Sequence, residues 1–352
     1  MRSSHPQIAV TVIIPTRNEA PHIPTTLQSI LTSKDVLGEI EVIVADGNST
    51  DNTRALVEEL AERDPRIRLL PNPGGFAAHA FNLGIKAGRG RYLMIMSAHA
   101  RLMPNHLADC IAALEAGRAD IVGGIIETVP SGQSDEALAV WCVMNSALGF
   151  GPSKFRTGLQ APAFVDTIGA GMMRRDVIDA IGLFDEELIR GQDDEFNARA
   201  RAANKRLLLL PHLRLTYTSR STKQQLYNMC FQYGAYKPIS NLKAGSLISL
   251  RQFAPSAMLS IWCLALLGAL HEPGLVIVPV GILAGYFGLA AAASLRVGRL
   301  SPRFLTQAFA AFVAAHVGYG LGFLRGVWAV MRFGRGAARA LATAQQLTAI
   351  TR

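Results

Sequence analysis

Residues 40–53 read Ile-Glu-Val-Ile-Val-Ala-Asp-Gly-Asn-Ser-Thr-Asp-Asn-Thr. Val42, Ile43 and Val44 form an uninterrupted β-branched run, as in a parallel strand covered on both faces. Asp46 stands at its carboxyl end, where open α/β sheets bind ligands. Gly47 permits a sharp turn, and Ser49, Thr50 and Asp51 are N-cap types for a following helix. Taken alone, the stretch is also a simple capped turn. A carboxylate held there accepts hydrogen bonds from a base or a ribose. Three other stretches carry comparable groups: Pro15-Thr16-Arg17-Asn18-Glu19, Ser97-Ala98-His99-Ala100-Arg101 and Gln192-Asp193-Asp194-Glu195. In the last, the adjacent carboxylates Asp194 and Glu195 crowd each other, which favours protonation of one.

The elements that must position these groups alternate. Strands are predicted over 8–15, 41–45, 67–70, 92–96, 120–128, 167–174 and 207–211. Helices are predicted from about 23, over 51–63, 77–87, 104–116 and 175–181, and from 191 to about 204. βαβ spacing implies an α/β fold with a mostly parallel sheet. The four chemical stretches each end a strand or open a helix, so they can meet along one sheet edge. Residues 129–162 show no regular pattern and suggest a mobile or acceptor-facing segment.

The net charge is +9 over 352 residues. No stretch resembles a nucleic-acid module, and the basic excess beside apolar segments points to anionic lipid head groups. Cys110, Cys142, Cys230 and Cys263 lack metal-ligand spacing and read as reduced thiols. Met1–Gln7 carries no apolar signal region, so the N-terminal domain is expected in the cytoplasm. Residues 224–236 read as an amphipathic interfacial helix, with Leu226, Met229, Phe231 and Tyr233 between Lys223 and Lys237. Lys243 and Arg251 extend that basic surface. Apolar segments follow at 253–270, 275–295 and 304–323, each near the length of a membrane span. The uncharged-to-acidic loop His271-Glu272-Pro273 is expected outside, and the loop bearing Arg296, Arg299 and Arg303 inside. The third segment stays open. If it spans, Arg332, Arg335 and Arg339 fall outside; Gly318, Gly320 and Gly322 instead allow a re-entrant or tilted course.

Val-Ile-Ile-Pro-Thr-Arg-Asn-Glu, Ala-Asp-Gly-Asn-Ser-Thr-Asp-Asn-Thr, Gly-Leu-Phe-Asp-Glu and Gln-Asp-Asp-Glu-Phe together resemble the inverting family 2 glycosyltransferases of GT-A fold, over residues 8–215. The resemblance implies that Pro15, Thr16 and Glu19 line a nucleotide pocket and that Asp46 binds the nucleoside. It makes Asp193 the general base, with Asp194 as the alternative. The family usually carries Asp-x-Asp after the fourth strand to hold a divalent ion. This chain has Ser97-Ala98-His99, close to the Asp-Ala-His of the succinoglycan-type exopolysaccharide glucosyltransferases. His99 is then the expected ligand for Mg²⁺ or Mn²⁺, and Arg101 takes part of the phosphate charge. Lys237 falls where the family places a Gln-x-x-Arg-Trp-type element near the diphosphate.

The expected organisation is a GT-A domain at 1–218, an interfacial helix and linker at 219–252, a membrane region at 253–330 and a basic tail at 331–352. The expected enzyme is a multi-pass inner-membrane glycosyltransferase with its catalytic domain in the cytoplasm. It moves a sugar from a UDP-sugar to a polyprenyl-linked acceptor for surface polysaccharide, alongside polysaccharide assembly proteins. Two alternatives stand beside it: transfer to polyprenyl phosphate itself, and a catalytically silent membrane scaffold.

Overall fold

The computed structural model describes residues 8–36, 38–246 and 250–350, without the side chains of 250, 251 and 344–350. Met1–Gln7 and the Arg251 side chain therefore lie outside the described residues. The chain divides into two compact units, 1–127 with 154–217, and 128–153 with 218–352. The expected continuous span 1–218 is thus interrupted: residues 128–153 group with the C-terminal half.

The first unit starts with β1 (Ile8–Thr16), α1 (Ile23–Leu31), β2 (Glu39–Asp46), α2 (Thr53–Arg63), β3 (Ile67–Pro71), α3 (Ala77–Ala87) and β4 (Tyr92–Ile95). Then come β5 (Ala100–Leu102), α4 (His106–Glu115) and β6 (Ile121–Val129). Residues 129–162, expected to be less regular, contain α5 (Asp135–Met144) and α6 (Ala147–Phe150), which belong to the second unit, and α7 (Lys154–Thr157) of the first. Ser134 caps α5 by accepting the Ala137 N–H, and Asp135 and Glu136 suit the positive end of its dipole. β7 (Ala163–Phe164), β8 (Gly171–Arg174), α8 (Arg175–Ile181), α9 (Gln192–Ala202) and β9 (Leu207–Thr218) complete the unit. β8 is shorter than the strand expected from 167, and β9 runs past 211 to 218.

The strand order is β3-β2-β1-β4-β8-β6-β9-β5, with β7 on β9. β3, β2, β1 and β4 are mutually parallel. β8 runs antiparallel between β4 and β6, and β5 and β7 run antiparallel to β9. The apolar runs of β1 and β2 are buried on both faces: Val12, Ile14, Val42 and Val44 enter one core, and Ile13 enters the other with Phe81, Leu93 and Phe196. The register sets Thr16 opposite Asp46, and Asp46 opposite Pro71. The ends of three parallel strands are therefore level.

In the second unit α10 (Lys223–Lys243), α11 (Leu250–Gly268), α12 (Ile277–Val297), α13 (Pro302–Phe333) and α14 (Ala337–Ile350) follow. α10 packs on α13 through glycine. A Cβ on Gly318 would stand 2.8 Å from the Tyr227 carbonyl oxygen, and one on Gly322 would collide with that of Phe231. The helix expected at a membrane interface thus packs closely on its neighbour. Segments Pro273–Val297 and Pro302–Thr343 are long and apolar enough to cross a membrane, by length and composition.

Two outcomes follow from this packing. Gly322→Leu must separate α10 from α13, because backbone has no rotamer by which to yield; a loss of at least about 3 kcal/mol is expected in chemical unfolding. His106 opens α4 fully buried, and burial pushes its imidazole down to about 4 from 6.5. Below pH 6.5 the unfolded chain takes up this proton while the fold does not, so stability falls as pH drops. Between pH 6.5 and 5 the loss is about 2 kcal/mol, and His106→Phe flattens that part of the pH profile.

Candidate functional site

The loops after β1 and β2 are laced together at the level of Thr16 and Asp46. The Gly47 N–H donates to the Thr16 carbonyl at 2.8 Å. Asn18 and Asn48 hold positive φ of 55° and 60°, a region asparagine tolerates better than most residues. In that conformation the Asn18 side-chain oxygen accepts the Thr50 N–H at 2.8 Å, and its own N–H donates to Ser49 Oγ at 3.0 Å. The Glu19 N–H donates to Thr53 Oγ1 at 2.8 Å, and the Ala20 N–H donates to Asp51 at 3.3 Å. Thr53 also donates to Asp51 and holds that carboxyl below its usual range. Asp46 is buried, and Ser49 Oγ donates to it at 2.5 Å. Asp46 is thus a buried carboxylate oriented by its own turn, while the helix that follows begins at Thr53 with Asn52 as its N-cap and no side-chain cap.

The loop after β3 closes on the same place. The Asn72 N–H donates to the Asp46 carbonyl at 2.8 Å. A Cβ on Gly47 would lie 3.0 Å from the Gly75 oxygen, so the turn approaches its neighbour as closely as a side chain allows. Arg17 Nη1 lies 3.9 Å from the Cβ position of Gly75. This exposed cation at the sheet edge was not singled out from sequence, although it sits inside the Pro-Thr-Arg-Asn-Glu motif.

Glu19 and His99 meet across 80 residues of sequence: Oε1 lies 2.9 Å from Nδ1. His99 Nε2 lies 3.0 Å from Ser97 Oγ. With a carboxylate at Nδ1, that nitrogen carries the proton and Nε2 accepts from the serine hydroxyl. Tyr217 stands edge-on to the His99 ring at 4.7 Å, and the Arg156 guanidinium lies 5.7 Å from the Tyr217 ring centre. Neither Tyr217 nor Arg156 carries a sequence signal, because β9 and α7 reach His99 only through the fold. Arg101 sits exposed on β5 opposite Thr216. Pro15 pairs with Ala45 at the end of β1.

This set fits a divalent ion at one point. Glu19 at Nδ1 makes Nε2 the ring nitrogen that would hold a metal, in place of the Ser97 hydroxyl it accepts here. Ser97 adds no charge, and among the described residues no three His, Cys, Asp or Glu side chains gather around a common point. The remaining ligands of a hard ion would have to be phosphate or water oxygens.

The α9 carboxylates form a second group. Gly191, at φ 73°, turns the chain into the helix. Glu195 is buried and paired with Arg199 at 2.5 Å, and Arg199 also donates to the carbonyls of Ile181 and Leu183. Arg199, not Asp194, is thus the partner of Glu195, and the expected crowding gives way to a structural ion pair. Asp194 accepts from Thr167 Oγ1 at 3.3 Å, while Thr167 Oγ1 accepts from Asn197 at 3.0 Å. Asp193 is half-buried in the first turn. Lys237 lies on α10, in the second compact unit.

The family model for glycosyl transferase family 2 matches residues 11–182. The succinoglycan biosynthesis protein ExoA of Rhizobium meliloti is 30% identical over 89% of this chain and 93% of its own length. A Methanococcus voltae dolichyl N-acetyl-α-D-glucosaminyl phosphate 3-β-D-2,3-diacetamido-2,3-dideoxy-β-D-glucuronosyltransferase is 28% identical over 65% of this chain and 72% of its own. S. aureus TarS 1–349, solved with UDP, covers 90% of both chains at 16% identity and a TM-score of 0.48. With a near full-length relative and a family match spanning β1 through α8, the chain belongs to glycosyl transferase family 2 and is a glycosyltransferase.

Proposed function

We propose that this glycosyltransferase moves a sugar from a nucleotide donor, a UDP-sugar, onto a polyprenyl-linked sugar at a membrane, with inversion, in surface polysaccharide synthesis. The observation that carries the reading is the edge built by Asp46, Glu19, Ser97 and His99 at the carboxyl ends of β1, β2 and β4. Asp46 receives hydrogen bonds from the nucleoside, beside Pro15 and Thr16. Arg101 offers positive charge to the diphosphate. The relatives' names, one in succinoglycan synthesis and one acting on a dolichyl-phosphate-linked sugar, support a lipid-linked acceptor and a polysaccharide product.

Inversion requires the acceptor oxygen to attack the anomeric carbon from the face opposite the leaving diphosphate. The hydroxyl must lose its proton as it attacks. Asp193 takes that proton. Glu19 is a positioning residue, orienting the His99 ring. A divalent ion held by His99 and the diphosphate would neutralise leaving-group charge.

The apolar length of α12 and α13 supports a membrane location, with the catalytic unit on the cytoplasmic side. Within the second unit Arg299 pairs with Asp135 at 2.6 Å and Arg296 donates to the Asn145 carbonyl. Lys223 and Lys243 suit anionic head groups. The serine at position 97 favours one second reading, a silent scaffold within an assembly complex.

Membranes containing the protein are expected to release UDP from a UDP-sugar when lipid acceptor is present. Asp193→Asn lowers this by at least about 100-fold, while Asp194→Asn costs less. Full activity in Asp193→Asn refutes the base assignment, and no turnover across UDP, GDP and dTDP donors favours the scaffold. Ser97→Asp restores a charged oxygen beside His99. It is expected to lower the Mn²⁺ concentration needed for half-maximal UDP binding by about tenfold, read by calorimetry independently of turnover.

A further inference from the structure

We propose that α13 lies along the membrane surface with α10 and does not cross, so that only the α11–α12 hairpin enters the hydrocarbon. The chain then ends on the side of the membrane where α10 begins. The inference rests on the membrane reading above and settles the course of its third apolar segment.

α13 is one unbroken helix of 32 residues, about 48 Å long against a hydrocarbon layer of about 30 Å. Its length alone permits crossing, but its neighbours do not. Gly318, Gly322 and Gly326 bring its backbone against the backbone of Tyr227, Phe231 and Ala235 on α10. Nothing fits between the two helices, so they share one depth. α10 is unsuited to hydrocarbon: Gln224, Gln225 and Asn228 are exposed, and Lys223 pairs with Glu136 at 3.0 Å and with Gln307 of α13. Polar groups of this kind are costly in lipid, where no water completes their hydrogen bonds. The start of α13 is held in the same way. Arg299 and Arg303 meet Asp135, and His316 Nε2 lies 2.7 Å from the Leu148 carbonyl of α6.

The exposed face of α13 has the pattern of a helix lying in an interface. Leu321, Leu324, Trp328 and Met331 are exposed and spaced 3, 4 and 3 residues apart, one stripe of a helix. Arg325 and Arg332 flank that stripe, where long cationic side chains reach head groups while their stems lie on lipid. α12 differs. Val280, Leu283 and Phe287 are exposed and only 17% of its most apolar stretch is covered by protein. The hairpin meets α13 near the start of α11, through Phe253 on Phe323 and Ser256 on the Gly320 carbonyl, and at the middle of α12, through Tyr286 on His316. With this course, Arg332, Arg335 and Arg339 share a side with Arg296, Arg299 and Arg303, and the positive-inside tendency holds throughout.

The test uses the full chain with different epitopes at its two ends, expressed in bacterial membranes. Carbonate washing comes first: extraction of the protein overturns the membrane reading itself. For protein that stays in the membrane, protease is added to spheroplasts and to inverted vesicles. The expected result is loss of both epitopes in inverted vesicles and protection of both in spheroplasts. Digestion of the C-terminal epitope in spheroplasts, with the N-terminal one protected, shows an odd number of crossings and overturns the proposal.

Discussion

The lacing of the β1–α1 loop to the β2–α2 loop is the interaction on which the site depends. A parallel sheet aligns strand ends, but it leaves the loops beyond them without backbone partners. Asn18 solves this by adopting a left-handed conformation, from which its side chain and backbone reach Thr50 and Ser49. Thr53 and Asp51 then take the next two backbone N–H groups, of Glu19 and Ala20. With its backbone held, Glu19 can present a carboxylate to His99 from a fixed position. Removing any of these polar links loosens the loop and with it the position from which Glu19 meets His99.

The same edge shows how the chain handles its own charge. Asp46 and Glu19 are both acidic, yet neither stands as a bare anion. Asp46 is turned onto its own loop through Ser49, and Glu19 onto an imidazole. Arg17 near Gly75 and Arg156 over Tyr217 add cationic character around this edge. With serine at position 97, the charged groups at this edge are these cations and two carboxylates that are each already hydrogen-bonded.

The helical unit is organised by a different constraint, close approach of backbones. Glycines on α13 let α10 press against it without intervening side chains. Contact of that kind is rigid, because no rotamer can relax it. A polar helix and an apolar one thereby pack as a pair, and which face of α13 stays exposed is decided by its partner as much as by its own composition.

Much of this was legible in the residues alone. β1, β2, α3 and α8 follow from apolar runs and turn residues that act locally, and the motif at 46–51 announces its own turn. Asp193, Asp194 and Glu195 are recognisable as a helix-opening acidic group, and the four-residue spacing of Glu195 and Arg199 already contains their ion pair. Other features depended on distant partners. α5 is hidden because its apolar residues face helices that arrive more than a hundred positions later. His99 is a lone histidine until β1 and β4 lie side by side and bring Glu19 to it across 80 positions. Hydrophobicity by itself marks α12 and α13 as similar segments. Only the tertiary structure separates them, since one shows its apolar surface to the outside and the other holds a polar helix against its glycines. Local propensity and periodicity determine what a segment can become; the neighbours that satisfy its polar groups and cover its faces determine what it does.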